Sequence, residues 1–300
     1  MGSKTKILDV VKNPWLIVPV LGYRGFFHWM PDELYLKLVF RAKVGCWPNL
    51  KNPRTYNEKL QWLKLHNRNP LYTKLVDKYE VKKLIADLIG EEYIIPTIGV
   101  WDKFDDIDFD ALPDQFVLKC THDSGGLVIC KDKAKLDIAA AKKKIETCLK
   151  KNFFWGTREW PYKNVKPRII AEKYMEDGSG NELTDYKFFC FNGVPRIMYV
   201  SHDIAKNATT DFFDMDYVRL PIRMRDPNSE FIPPKEPLFE KLKELSKILC
   251  QDYPHVRTDF YVVSGKIFFG EMTFFHNSGF SAVHPHEWNV KMGDMIEINV

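Results

Sequence analysis

The sequence predicts an α+β protein, a helical N-terminal region followed by strand hairpins and further helices. Two patterns carry that reading. Residues 31–90 place apolar side chains at helical spacing behind helix-start signals. From Tyr93 onward, short runs of β-branched and aromatic residues lie between turns containing Gly, Asn and Ser. The 300 residues allow one large domain or two to three smaller lobes. A 45% hydrophobic fraction supplies a core, and 28% charged residues of both signs exclude a disordered chain. The net charge of +4 suits anionic substrates such as nucleotides or acidic sugars and is too weak to argue for nucleic acid.

Trp15–Met30 is the most apolar stretch, but Pro19, Gly22, Arg24, Gly25 and His28 interrupt it, so it is no transmembrane helix. It reads as a buried or docked N-terminal segment whose aromatics could touch a membrane surface or a partner. Pro31-Asp32-Glu33 opens a helix with the stripe Leu34, Leu36, Leu38 and Val39. Thr55 and Glu58 match a capping box in front of a helix over Glu58–His66. Tyr72–Leu88 reads as one helix ended by Gly90, with the lysines of Asp77–Lys82 on its solvated face. Ala134–Lys151 and Pro233–Cys250 are amphipathic helices. The aromatic loop Asn152–Tyr162 reads as packing, with a substrate-facing flap as the alternative, and Thr210–Pro227 is expected to be irregular. The six cysteines form no CxxC and no Cys/His cluster; with no signal peptide before them they read as reduced thiols in a cytoplasmic protein.

Four stretches carry chemistry. Lys119 ends the apolar strand Phe116–Cys120, where a lone ammonium is costly unless it meets an anion. The turn that follows, His122-Asp123-Ser124-Gly125-Gly126, can bring backbone N–H groups close to phosphate oxygens. The P-loop and dinucleotide-binding glycine motifs are absent, which argues against those two nucleotide folds. Arg168–Met175 runs a strand into a segment whose backbone could bind an adenine while Tyr174 and Met175 cover the ring. Asp185 and Lys187 share one face of a hairpin strand that turns at Asn192-Gly193.

The fourth stretch, Arg257–Gly279, reads as a hairpin with arms Thr258–Val263 and Ile267–Met272 around Ser264-Gly265. Asp259 and Glu271 are carboxylates within apolar arms, costly to bury unless they bind a cation or pair with Arg or Lys. Brought together they favour a hard divalent ion such as Mg²⁺. The register sets a condition. A strict two-residue loop pairs Asp259 with Gly270 and sends Glu271 to the other face, whereas an odd loop or a bulge pairs Asp259 with Glu271. Without that second register the two are rim carboxylates on a surface hairpin.

Taken in order, these segments resemble the ATP-grasp superfamily, and within it the TupA-like branch associated with teichuronopeptide and bacterial surface polysaccharide biosynthesis. The resemblance runs from about Leu50 to the C-terminus through NEKLQWLKL, LVDKYEVKKLI, LPDQFVLKCTH, RIIAEKYM, DYKFFCFNG and RTDFY with GKIFFGEMTF. It implies ATP held between two α+β lobes, a small one over 91–175 and a C-terminal one over 176–300, behind a helical region over 1–90. It implies Lys78 and Lys119 on the phosphates and a closing loop of His122, Ser124, Gly125 and Gly126. It makes Glu172, Lys173, Tyr174 and Met175 the adenine hinge, and sets Asp185 near the ribose and Lys187 near the phosphates. Asp259 and Glu271 would hold Mg²⁺, and Arg257 would stabilise the transferred group. Thr273 departs from the pattern, since many members carry Asn there; it is a weaker ligand and puts a second Mg²⁺ in doubt. Asn277 compensates, or belongs to the acceptor pocket with Ser278 and Gly279.

The implied activity is ATP- and Mg²⁺-dependent ligation of a carboxylate to an amine through an acyl phosphate. The resemblance suggests a uronic-acid sugar or glycan carboxylate and an amino acid or amine as substrates. A nucleotide-sugar glycosyltransferase is the alternative that Asp214-Met215-Asp216 motivates. A small-molecule kinase and a non-catalytic scaffold are the others. On the ligase reading, Arg257→Ala and Glu271→Gln lose most turnover and keep the fold.

Overall fold

Helical periodicity in the first ninety residues is realised with breaks, and each break has a local cause. The computed structural model describes residues 7–123, 125–177, 183–202, 208–251 and 253–299. Among these the chain forms two compact units: one is Asn69–Met175, and the other joins the segment ending at Arg68 to the segment starting at Glu176. The helical region expected over 1–90 is therefore shared between the units, because its two halves pack on different partners.

The segment ending at Arg68 holds α1 (Ile7–Lys12), α2 (Ile17–Gly22), α3 (Asp32–Val44) and α4 (Tyr56–His66). Val18, Tyr35, Leu36, Val39 and Phe40 pack together with Phe280 from the C-terminal part of the same unit. The capping box closes as the sequence requires: Glu58 N–H donates to Thr55 Oγ1, and Thr55 N–H donates to Glu58 Oε2 at 3.0 Å. The Trp15–Met30 segment is docked only in part. Phe27 and Met30 pack on the α3 core, while Tyr23, Phe26 and Trp29 face solvent.

In the first unit, the helix expected over Tyr72–Leu88 is two helices, α5 (Leu71–Val76) and α6 (Glu80–Ile89). Asp77 breaks it. Its backbone is extended, and its Oδ1 accepts from the N–H groups of Tyr79 and Glu80, starting the new helix. A four-stranded sheet follows, made of β1 (Thr97–Trp101), β2 (Phe116–Cys120), β3 (Leu127–Cys130) and β4 (Ile169–Lys173) in the order β1-β4-β2-β3. All its pairings are antiparallel. Helix α7 (Ile138–Leu149) covers one face through Ala141, Ile145 and Cys148. It starts later than the sequence suggests, at the Asp137 cap, because Lys133–Lys135 is a separate 3₁₀ turn. The aromatic loop packs as expected: α8 (Phe154–Thr157) buries Phe154, and Trp160 stacks on Tyr72 with ring centroids 5.7 Å apart.

The second unit is built on a six-stranded antiparallel sheet. Its strands are β5 (Asp185–Phe191), β6 (Val194–His202), β7 (Thr209–Phe213), β8 (Arg219–Leu220), β9 (His255–Val263) and β10 (Lys266–Thr273), in the order β10-β9-β5-β6-β7-β8. Thr210–Pro227 is thus partly strand rather than irregular. Asp214 lies in the turn between β7 and β8, where its Oδ1 accepts from the N–H groups of Asp216 and Val218. Helix α9 (Phe239–Cys250) buries Phe239, Leu242, Leu245 and Leu249, and α10 (His286–Asp294) packs on the start of α4.

That last contact is backbone on backbone. A Cβ on Gly293 would stand 2.0 Å from the Arg54 carbonyl oxygen and 2.8 Å from the Thr55 carbonyl carbon. Gly293→Ala is expected to destabilise the protein by about 1–3 kcal/mol or more, read as a lowered urea midpoint. A wild-type midpoint would contradict this packing.

Candidate active site

In the first unit the chemistry gathers on Glu172. On β4 it pairs with Val117 of β2 and Thr97 of β1, and only 5% of it is exposed. Lys119 Nζ lies 2.6 Å from its Oε2, and Lys82 Nζ lies 2.5 Å from its Oε1. Burial alone would raise the Glu172 carboxyl; the Lys119 and Lys82 ammonium groups outweigh it and hold the group below the usual carboxylate range. Burial also pushes the Lys82 ammonium down, against the pull of Glu172. Lys82 was not among the expected site residues. Its signal was the helical period, since it adjoins Val81 and precedes Ile85, both buried, whereas Lys83 is exposed. Lys78 instead donates from Nζ to the Asp123 carbonyl oxygen.

The turn after β2 is tightly organised. Asp123 Oδ1 accepts from Gly125 N–H at 3.1 Å and Gly126 N–H at 3.0 Å. His122 is buried, and its Nε2 sits 3.2 Å from the Cys148 carbonyl and 3.1 Å from the Lys151 carbonyl, so Nε2 must carry the proton. Ser124 lies outside the described residues. The structure brings Cys120, Asp123 and Cys148 within 4.8 Å of one another, a grouping no spacing rule exposes. Burial pushes both thiols up, Cys148 to about 11, which keeps them protonated. Lys173 ends β4 and is exposed, and Tyr174 and Met175 follow it to the end of the unit.

In the second unit the decisive feature is the β9–β10 register. The turn has two residues, Ser264 and Gly265, both at positive φ. A bulge at Gly270 then shifts the pairing, so Phe269 faces Phe260 and Glu271 faces Asp259. The condition set by the sequence is met through the bulge. Arg257 faces Thr273 two residues along β9, and Lys187 of β5 faces Asp259 across the other edge. These residues therefore project from one face of the sheet.

Arg257 is the centre of that face. Its Nε and Nη2 donate to Asp259 Oδ1 and Oδ2 at 2.7 and 2.5 Å, and Nη2 also reaches Glu271 Oε1 at 2.9 Å. Lys187 Nζ lies 3.1 Å from Asp259 Oδ2 and 2.8 Å from Asp185 Oδ2. Burial alone would raise Asp259, but Arg257 and Lys187 hold it below the usual range. Arg257 Nη1 is 2.6 Å from His276 Nδ1. A guanidinium only donates, so Nδ1 accepts and the imidazole proton sits on Nε2. Nε2 in turn is 3.0 Å from the Asn277 amide, which must then present its oxygen to it. Burial keeps His276 neutral by pushing its pKa well down.

A cavity of about 160 Å³ opens beside this cluster, lined by Lys187, Tyr199, Thr210, Arg225, Arg257 and Asn277 among others. Of the expected acceptor trio, Asn277 lines the cavity. Ser278 and Gly279 are held from behind: the Ser278 carbonyl accepts from Lys64 Nζ at 2.8 Å, and the Gly279 carbonyl accepts from Asn57 and Gln61, each at 3.0 Å. Asn277, Ser278 and Gly279 all have positive φ, so α4 fixes a loop that the chain would not adopt by itself.

The donor set fits a divalent ion with one qualification of roles. Asp185, Asp259 and Glu271 face Lys187 and Arg257, leaving an excess negative charge. Glu271 is the more open of the carboxylates, with its side chain 44% exposed. Asp259 has both oxygens engaged by Arg257 and Lys187, so its role is first to anchor those cations. Thr273 Oγ1 donates to Glu271 Oε1 at 3.4 Å and orients it.

The sequence profile described as "TupA-like ATPgrasp" matches residues 58–297. The chain belongs to that family. Membership makes the fold ATP-grasp, and ATP with Mg²⁺ the nucleotide and ion of the class. A search of curated proteins found no match. Among solved structures the TupA-like chain is similar to D-alanine-D-alanine ligase from Helicobacter pylori, with 14% identity, 80% of this chain and 69% of that one covered, and a TM-score of 0.42. It is similar to the Bacillus anthracis D-alanine–D-alanine ligase complexed with ATP at 19% identity, covering 74% and 64%, TM-score 0.42. It is also similar to a D-cycloserine synthetase at 16% identity, covering 75% and 70%, TM-score 0.41. The chain thus spans about two thirds of the length of these enzymes.

The buried charges of the TupA-like chain set its acid stability. His255 is pushed by burial down to about 4, and His276 is lowered too, so both take up protons only on unfolding. Stability then falls as pH drops below the imidazole's ordinary 6.5. The lowered carboxylates Glu172 and Asp259 contribute stability that is present above their ordinary values of 4.5 and 3.8 and is lost as pH falls through their folded values. Urea midpoints measured from pH 7 to pH 3 are expected to decline throughout; a flat profile between pH 6.5 and 4.5 would contradict the buried imidazoles.

Proposed function

We propose that this TupA-like ATP-grasp chain activates a carboxylate as its acyl phosphate and transfers the acyl group to an amine. The observation that carries the reading is the Arg257 cluster beside a cavity lined by Lys187, Arg225 and Asp226 among others. ATP with Mg²⁺ would supply the transferable phosphoryl group and the divalent charge that offsets its oxygens. Glu271 would hold the ion, oriented by Thr273. Arg257 is fixed in advance by Asp259, Glu271 and His276, so its guanidinium can meet developing negative charge without reorganising. Lys187, Arg225 and Asn277 would position the reacting carboxylate in the cavity. Lys119 and Lys82 would give phosphate oxygens the partners that Glu172 now occupies, with Lys78, His122, Ser124, Gly125 and Gly126 in the adjoining loop. Glu172 to Met175 would serve as the hinge for the adenine, and Asp185 would sit near the ribose.

For the substrates we propose a uronic-acid sugar or glycan carboxylate and an amino acid or other amine, in the assembly of a bacterial surface polysaccharide. Lys187 and Arg225 at the cavity wall are the side chains that would meet an acidic substrate. A small-molecule kinase would share the nucleotide site but need no amine. Asp214 is engaged in closing a turn, which gives no support to a nucleotide-sugar site there.

Calorimetry with ATP, ADP and sugar nucleotides, with and without Mg²⁺, tests the reading. ATP is expected to bind with Mg²⁺, and Lys119→Ala is expected to weaken that binding. Glu271→Gln should lower turnover by roughly 10²–10³. Preference for a UDP- or GDP-sugar over ATP, or wild-type behaviour of both variants, would sink it.

A further inference from the structure

We infer that residues 11–51 form a face that docks on an anionic lipid bilayer surface. Trp29 is 76% exposed, Phe26 61% and Trp47 55%, with Trp15, Ile17 and Tyr23 also exposed. Single exposed apolar residues are ordinary, but these fall within one stretch of the chain, and two of them are in contact. Trp15 and Trp47 meet edge to face at 5.5 Å, and α2 and the 3₁₀ turn at Pro14–Leu16 both pack on α3. Lys43 lies over the Tyr23 ring at 5.8 Å, bringing a cation into the aromatic cluster. The segment is split inward and outward: Phe27 and Met30 serve the core, so the exposure of Phe26 and Trp29 is not poor folding.

Charge identifies the occupant. Residues 11–51 hold Lys12, Arg24, Lys37, Arg41, Lys43 and Lys51 against only Asp32 and Glu33. That is a net +4, equal to the net charge of the whole chain, so the remaining residues are together neutral. The chain's entire positive excess is therefore carried by the stretch that exposes its aromatics. Trp and Tyr favour the headgroup level of a bilayer, and Lys and Arg are drawn to anionic lipid. A second copy of the same face would bring two positive surfaces together, which disfavours self-association there. Among the described residues no helix is long and apolar enough to cross a membrane, so the contact is a surface one.

The test is co-sedimentation of the full chain with vesicles of phosphatidylcholine, with and without phosphatidylglycerol, with tryptophan emission recorded on the same samples. Binding is expected only with phosphatidylglycerol, with a blue shift, and it should weaken as salt rises. The double variant Phe26→Ser, Trp29→Ser should bind about tenfold or more weakly. Both positions are exposed, so its urea midpoint should match wild type. No phosphatidylglycerol-dependent binding, or equal binding by the variant, would overturn the inference. So would a dimer in gel filtration that the variant dissociates without any vesicle binding.

Discussion

Arg257→Ala is expected to fail twice, losing turnover by at least roughly 10²–10³ and stability by roughly 3–5 kcal/mol. The first loss follows from removing a positioned donor at the reacting group. The second follows from burial. Asp259 is 1% exposed and takes both of its strongest contacts from Arg257, so the variant strands a carboxylate in the sheet with Lys187 as its main remaining partner. His276 loses the donor to its Nδ1 at the same time. The expectation from sequence, that the fold survives Arg257→Ala largely unharmed, is therefore corrected by the depth of the ion pair. Arg257→Lys separates the two effects. It keeps the charge, loses the two-pronged geometry, and should fold while turning over poorly. A well-folded, active Arg257→Ala protein would remove Arg257 from the proposed mechanism.

Glu172→Gln is expected to cost up to roughly 3–5 kcal/mol, because Lys82 and Lys119 then face each other across a neutral amide. ATP should recover part of that loss, since its phosphates can take the place of the carboxylate between the two ammonium groups. Thermal unfolding with and without ATP·Mg²⁺ checks both statements. The ATP-induced rise in Tm should be larger for Glu172→Gln than for wild type. An equal or smaller rise would mean that Lys82 and Lys119 do not serve the nucleotide.

Much of this site was legible because its residues break local rules. Lys119, Asp259 and Glu271 are charges inside apolar strands, and such charges announce a partner. The turns at Asn192-Gly193 and Ser264-Gly265 were legible from the residues that tolerate positive φ. The register that brings Asp259 opposite Glu271 was not, because the Gly270 bulge depends on how that backbone packs against Asp259 and Tyr261. The helix break at Asp77 was missed for a similar reason. An Asp within helical spacing reads as a surface residue until Arg168 is seen to bind its Oδ2 at 2.8 Å. Lys82 was missed because lysine near a helix start is usually solvated, and only the sheet behind it supplies Glu172. The loop after β10 showed its small residues, but not that Asn57, Gln61 and Lys64, from more than two hundred residues earlier, hold it in place.

The central claim, carboxylate activation by phosphoryl transfer, is tested most directly by incubating the protein with ATP·Mg²⁺, a panel of uronic acids and hydroxylamine. The account predicts that ATP is converted to ADP and phosphate in step with hydroxamate formation, and that Arg257→Lys and Glu271→Gln suppress both. Formation of AMP and pyrophosphate, or a stable phosphorylated sugar with no hydroxamate, would contradict it.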